Sequence, residues 1–127
     1  MRYRFPARGS QPAVKLTWYD GGLSPARPAE LEAGQRFGDR NGGLIFVGDK
    51  GKLLCDFTGA AARLIPESRM KSYKPPPRTL VRSIGHKQEW VRACKGGEQA
   101  GANFRVAGFV SEILALGNAA VRQSRLP

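Results

Sequence analysis

The stretch from Leu44 to Phe57 constrains the fold most. Leu44–Val47 is an uninterrupted apolar run of strand length. Gly48-Asp49-Lys50-Gly51 follows as a glycine-bounded turn, and Lys52–Phe57 then sets Leu53, Cys55 and Phe57 on one face. Strand periodicity on both sides of a tight turn predicts a β-hairpin, which commits the centre of the chain to antiparallel sheet.

Other segments extend that sheet. Met1–Phe5 alternates Arg2 and Arg4 against Tyr3 and Phe5. Ala13–Tyr19 sets Val14, Leu16 and Trp18 against Lys15, Thr17 and Tyr19. Both have the period of a strand, and the loop Pro6–Pro12 between them allows an antiparallel pair. Leu64-Ile65-Pro66 reads as an edge strand in a region, Arg63–Ser83, that is otherwise extended. Pro75–Pro77 stays out of any sheet interior. Asp20–Gly43 is irregular, with one helical turn over Pro28–Ala33. So long a connection implies a task, and packing on a neighbouring domain or subunit is favoured over a binding or lid role.

Two helices close the chain. His86–Lys95 has Ser83 as a cap and Gly96 as a left-handed stop, with His86, Trp90, Ala93 and Cys94 on one face. Asn103–Gln123 has Asn103 as its cap and an apolar stripe of Val106, Val110, Ile113, Leu114, Gly117 and Val121. Its opposite side carries Gly108, Ala115 and Ala119, small rather than charged. Such a helix is expected to pack on two partners. The fold class expected is α+β, a mostly antiparallel sheet with the two C-terminal helices packed on one face. Val14, Leu16, Trp18, Phe46, Leu53, Trp90, Ile113 and Leu114 are the expected structural residues.

Composition narrows the function classes. The chain has 127 residues, 41% of them hydrophobic, enough for one modest core that buries roughly two thirds of the unfolded surface. No apolar run approaches the ~20 residues of a membrane span, so no membrane partner is expected. The start, MRYRFPARGS, lacks the apolar centre of an export signal; localisation is left open, with the cytoplasm the expectation for the chain as it stands. Cys55, Cys94 and one histidine make no zinc pattern. The net charge of +11 suits an acidic partner. Its densest stretch, Arg69, Lys71, Lys74, Arg78, Arg82 and Lys87, comes with no nucleic-acid recognition motif, so a solvated or domain-facing surface is favoured over nucleic acid. GDKGK lacks the first glycine and the Ser/Thr of a phosphate loop. A GxxG clamp would need flanking helices where strands are expected.

Several segments, in order, resemble a subgroup of the Gfo/Idh/MocA oxidoreductases. They are Phe5–Gly9 (FPARG), Val14–Gly22 (VKLTWYDGG), Phe46–Leu53 (FVGDKGKL), Leu64–Met70 (LIPESRM), Gly85–Trp90 (GHKQEW) and Glu112–Arg122, with the helix stop Lys95-Gly96-Gly97. The resemblance implies that residues 1–127 form a single partial domain, the C-terminal substrate-binding and oligomerisation portion. The nucleotide-binding domain is absent. It implies a homo-oligomer assembled through the sheet, and NAD or NADP as cofactor of the full-length family member but none in this chain. The parent reaction would pass a hydride between nicotinamide and a sugar-like or polyol substrate. What the family uses for chemistry has no match here. No two of the 16 glycines are two residues apart, so the dinucleotide fingerprint G-x-G-x-x-G has no place. The Glu-Lys-Pro segment is missing. The Asp-x-x-x-His pair fails because residue 82 is an arginine. No catalytic residue is therefore carried over.

Four residues remain as candidates for a substrate cleft. His86 is the one histidine of the chain, the residue type most used as a general acid or base, although beside Trp90 it also reads as a packed histidine. Tyr19 and Asp20 end a strand after Trp18, and an aromatic with a carboxylate is suited to a polyol. Trp18 itself is expected in the core. Arg8 could meet a carboxylate or phosphate, or be a surface arginine. The rival functions are a small basic nucleic-acid-binding protein and a self-associating scaffold with no small ligand.

Overall fold

The computed structural model describes residues 1–124. The class is α+β with antiparallel sheets, as expected. The strands divide into two sheets, one of two strands and one of three, rather than one. The chain groups into two compact units, Gly21–Pro77 and Met1–Asp20 with Arg78–Pro127.

The three-stranded sheet belongs to the first of these. β3 (Gly43–Gly48) and β4 (Gly51–Asp56) form the expected hairpin, with Phe46 opposite Leu53 and Leu44 opposite Cys55. β5 (Arg63–Ile65) adds antiparallel to β4. The sheet order β3-β4-β5 puts β5 at an edge, as its proline-bounded sequence predicts. One face presents Ile45, Leu54 and Ile65 to Leu31 and Phe37, and this cluster is the core. Burying a leucine stabilises by about 2 kcal/mol, so a cluster of this size can hold one small unit together.

The long connection before β3 therefore has its task within its own unit. Leu31 is buried at 5% exposure, anchored by a single turn in which its N–H donates to the Pro28 carbonyl. Polar bonds fasten the flanks. Lys52 bonds both Glu30 carboxylate oxygens at 2.7 Å. Arg63 donates to the Gln35 side chain and the Arg36 carbonyl, and Glu32 accepts from the Glu67 N–H at 2.6 Å. The segment thus has a structural task inside its own unit, beyond the expected packing on a neighbour. A second departure is α1 (Glu67–Ser72), a six-residue helix within the stretch read as extended. It has no apolar stripe, because none of its residues is buried.

In the second unit β1 (Arg2–Phe5) pairs with β2 (Val14–Thr17) in the expected antiparallel arrangement. The amino terminus donates to the Trp18 carbonyl, and the Trp18 N–H returns to the Met1 carbonyl. α2 (His86–Cys94) ends in a Schellman turn. The Gly96 N–H donates to Ala93 and the Gly97 N–H to Arg92, with Gly96 at φ +80°. α3 (Phe104–Gln123) begins at Asn103, whose side chain accepts from the Arg105 and Val106 N–H groups. Tyr3 reaches α3 and donates to the Ile113 carbonyl at 3.0 Å. It lies over Gly117, where a Cβ would fall 2.2 Å from its hydroxyl oxygen.

None of the eight expected structural residues is buried. Leu16, Leu53 and Ile113 are half-buried, while Val14, Trp18, Phe46, Trp90 and Leu114 are exposed. On α2 the side facing the unit carries Glu89, Arg92 and Ala93 instead. α3 also departs from the expectation about membrane spans. The helix is 20 residues long and contains an 18-residue window of mean hydropathy 1.4, so it is long and apolar enough to cross a membrane by length and composition. Uninterrupted runs do not reveal this, because Arg105, Glu112 and Asn118 break the run while the window average stays high.

Candidate functional site

The four residues expected at a substrate cleft all lie in the unit that contains β1, β2 and the last two helices. Arg8 sits in a tight turn closed by reciprocal backbone bonds with Gln11. Tyr19 and Asp20 are exposed just beyond β2, and His86 is exposed at the first position of α2. Among the described residues no hydrogen bond or ion pair joins Arg8, Tyr19 and His86 to one another. Trp18 is 49% exposed, which corrects its placement in the core. The partners it would need on its face of the two-stranded sheet, Leu16 and Val14, are only partly covered themselves.

A concavity that sequence reasoning missed runs along α2. Lys87, Gln88, Val91, Arg92, Lys95 and Gly97 line an open groove of about 550 Å³. The helix places Lys87, Val91 and Lys95 at spacings of four, so they form one stripe. The signal was present as that stripe, but Lys87 was grouped with the basic run before it. The Schellman turn folds Gly97 back onto the stem of Arg92. A Cβ at Gly97 would lie 2.7 Å from Arg92 Cγ and 3.0 Å from its carbonyl oxygen. Only glycine lets the chain pass there. Arg92 pairs with Glu98 at 3.1 Å, and its Nε is enclosed without a hydrogen-bond partner.

Glu89 organises the other side of α2. Its carboxylate accepts from the Gly101 N–H at 3.0 Å and is held below the ordinary carboxylate value, chiefly by the Ser83 hydroxyl and then by that N–H. Ser83 therefore does cap this region, but through Glu89 and the Gly85 N–H rather than by an ordinary helix cap. A second, smaller pocket of about 250 Å³ lies among Glu32, Gln35, Arg63, Leu64, Ile65, Glu67 and Met70. Glu32, Gln35, Arg63 and Glu67 bond mainly to each other or to nearby backbone, so this pocket is the clamp of the long connection. No group of three or more His, Cys, Asp and Glu residues able to hold a metal occurs among the described residues.

Both units also expose large apolar side chains. The β3–β4–β5 face opposite the core carries Leu44, Phe46, Leu53, Cys55 and Leu64; Cys55 is buried and Leu53 and Leu64 are half-buried, while Leu44 and Phe46 on the outer strand are exposed, Phe46 at 59%. On α3, Phe104 is 96% exposed, and Phe109, Val110, Leu114 and Leu116 are exposed too. The chain's accessible surface is 11390 Å². Two independent folded units of this combined mass would expose about 8,000 Å². An unfolded chain would expose about 20,000 Å², so only about two fifths is buried, against the two thirds expected from length. No protein-family model matches the sequence, and no curated protein matches it either.

Proposed function

We propose that this chain is the substrate-binding and assembly part of an NAD(P)-dependent oxidoreductase of the Gfo/Idh/MocA kind, and that it does not catalyse hydride transfer alone. The family assignment rests on the ordered segments of the sequence. The observation that carries the second half is the large accessible surface, about 3,000 Å² in total beyond what independent units of this size expose, together with exposed apolar side chains such as Phe46, Phe104 and Phe109. Monomeric proteins rarely leave such surface to water. A covering partner is the physical remedy, either the nucleotide-binding domain or another copy meeting the sheet. In this reading Arg8, Tyr19, Asp20 and His86 contribute to the wall of a polyol-binding cleft completed by the partner. The exposed apolar side chains also favour the scaffold reading, in which the only ligand is another copy.

Calorimetric titration of the chain with NADH, NADPH and a simple polyol such as inositol tests the proposal. It predicts no saturable nucleotide binding, and weak polyol binding that Tyr19→Ala abolishes. Saturable nucleotide binding would overturn it. An absence of any polyol heat would leave the scaffold reading as the better account.

A further inference from the structure

We infer that the outer edge of β3 is a pairing site, where a second copy of this chain adds its own β3 in antiparallel register. Two three-stranded sheets then join into one of six strands. The inference deepens the reading of this chain as an assembly part, because it names the partner and the contact. It stands on the sheet alone and not on the oxidoreductase assignment.

Hydrogen-bond parity fixes what the edge offers. The two-residue turn Asp49-Lys50 makes Gly48 and Gly51 a bonded pair. Bonded pairs then recur at every second residue, Phe46 with Leu53 and Leu44 with Cys55. Gly43, Ile45 and Val47 therefore turn their N–H and C=O groups away from β4. Among the described residues, β4 is the only strand or helix beside β3, and no loop backbone bonds to these three residues.

The two edges of the sheet differ. Sheets ordinarily guard their edges by shortness, charge, proline, bulges or cover. β5 has three residues, with Arg63 at its start and Pro66 directly after it, and α1 packs against it. β3 has six residues in an unbroken one-to-one register, and no charge or proline occurs from Asn41 to Gly48. Leu44, Phe46 and Val47 are exposed along it.

This strip fits a second copy. Two chains of net charge +11 repel each other, and a neutral strip lets them meet without opposing like charges. The turns at its ends, Asp39-Arg40 and Asp49-Lys50, each carry one acid and one base. With Ile45 opposite the second copy's Ile45, each Gly43 faces the other copy's Val47. Three bonded pairs then supply six backbone bonds. Leu44 lies across from the other copy's Phe46 twice, on the face away from the core. The area is available, because the accessible surface stands about 3,000 Å² above that of independent units and a standard interface takes about 800 Å² per copy.

Proline tests the edge directly. Val47→Pro removes an outward N–H and leaves the β4 ladder intact, at a side chain that is 68% exposed. Light scattering of the intact chain should show the solution mass falling by half or more in Val47→Pro and unchanged in Val47→Thr, which keeps the N–H. In the unsubstituted chain, amide exchange at Gly43, Ile45 and Val47 should slow at least tenfold from dilute to concentrated samples. That exchange decides the matter if Val47→Pro does not fold by circular dichroism. An unchanged mass in folded Val47→Pro overturns the inference, because association through a sheet face or α3 does not use this N–H. A monomer at about 0.1 mM, or exchange at these amides that ignores concentration, overturns it equally. Those results leave the oxidoreductase reading standing, whereas saturable nucleotide binding removes that reading and leaves this pairing.

Discussion

Single residues show where this fold is tightly specified. Gly117 is the one buried residue of α3, and its missing Cβ is what lets the Tyr3 hydroxyl reach Ile113. Gly117→Ala should therefore displace Tyr3 and forfeit a bond worth about 1 kcal/mol, offsetting the ~1 kcal/mol that alanine adds to a helix. In a Tyr3→Phe background the hydroxyl clash is gone and only the flexible Met1 thioether, its sulfur 3.0 Å from the same Cβ position, has to give way, so the same substitution should stabilise by up to about 1 kcal/mol. Denaturant titration of the four proteins checks this; equal effects in both backgrounds would refute the contact. Carboxylates give a second test. Glu30 is held below its ordinary value chiefly by Lys52, Glu32 by the Glu67 N–H, Asp56 by the Thr58 hydroxyl and Glu89 by Ser83. A depressed folded pKa means that the unfolded chain takes up protons first on acidification. The stability these bonds give is complete above the ordinary glutamate value of 4.5 and is lost as pH falls through the lower folded values. Melting temperature should be flat from about pH 7 to 5 and fall below that, with a shallower fall in Glu32→Gln.

Elements differ in what holds them, and that explains which were legible in the sequence. The β3–β4 hairpin was readable because Gly48 and Gly51 pin the register and the alternation does the rest. The ends of α2 and α3 were readable from Gly96 and Asn103, whose roles are local. The core was not. Leu31 is a lone apolar residue between Glu30 and Glu32 with no periodic companion, and only tertiary contact with Leu54 and Ile65 identifies it. α1 was missed because a short polar helix carries no period. The side of α2 that faces its unit was misassigned because Glu89 and Arg92 are held there by hydrogen bonds and close packing rather than by hydrophobicity. The groove went unseen for the same reason. Two substitutions in the hairpin separate its faces. Leu54→Ala should cost about 2–4 kcal/mol, measured by denaturant unfolding. Phe46→Ser, on the uncovered face, should change monomer stability by less than about 1 kcal/mol yet weaken self-association in sedimentation velocity. A large stability loss at Phe46 would place it in a core instead.

At the scale of the whole molecule, the central claim is that this chain is a part whose surfaces are completed by something else. Its buried clusters are small and its apolar faces wide. A long apolar helix, an uncovered sheet face and an accessible surface of 11390 Å² all describe the same deficit. The expectation of such a part came from scattered ordered segments of the sequence, but no sequence pattern could show the deficit, which is a property of area. Light scattering after size exclusion measures the completion most directly. The account predicts a defined dimer or larger oligomer at micromolar concentration, dissociating when Phe46 and Phe109 are both replaced by serine. A stable monomer with cooperative unfolding and no exposed apolar surface by dye binding would contradict it.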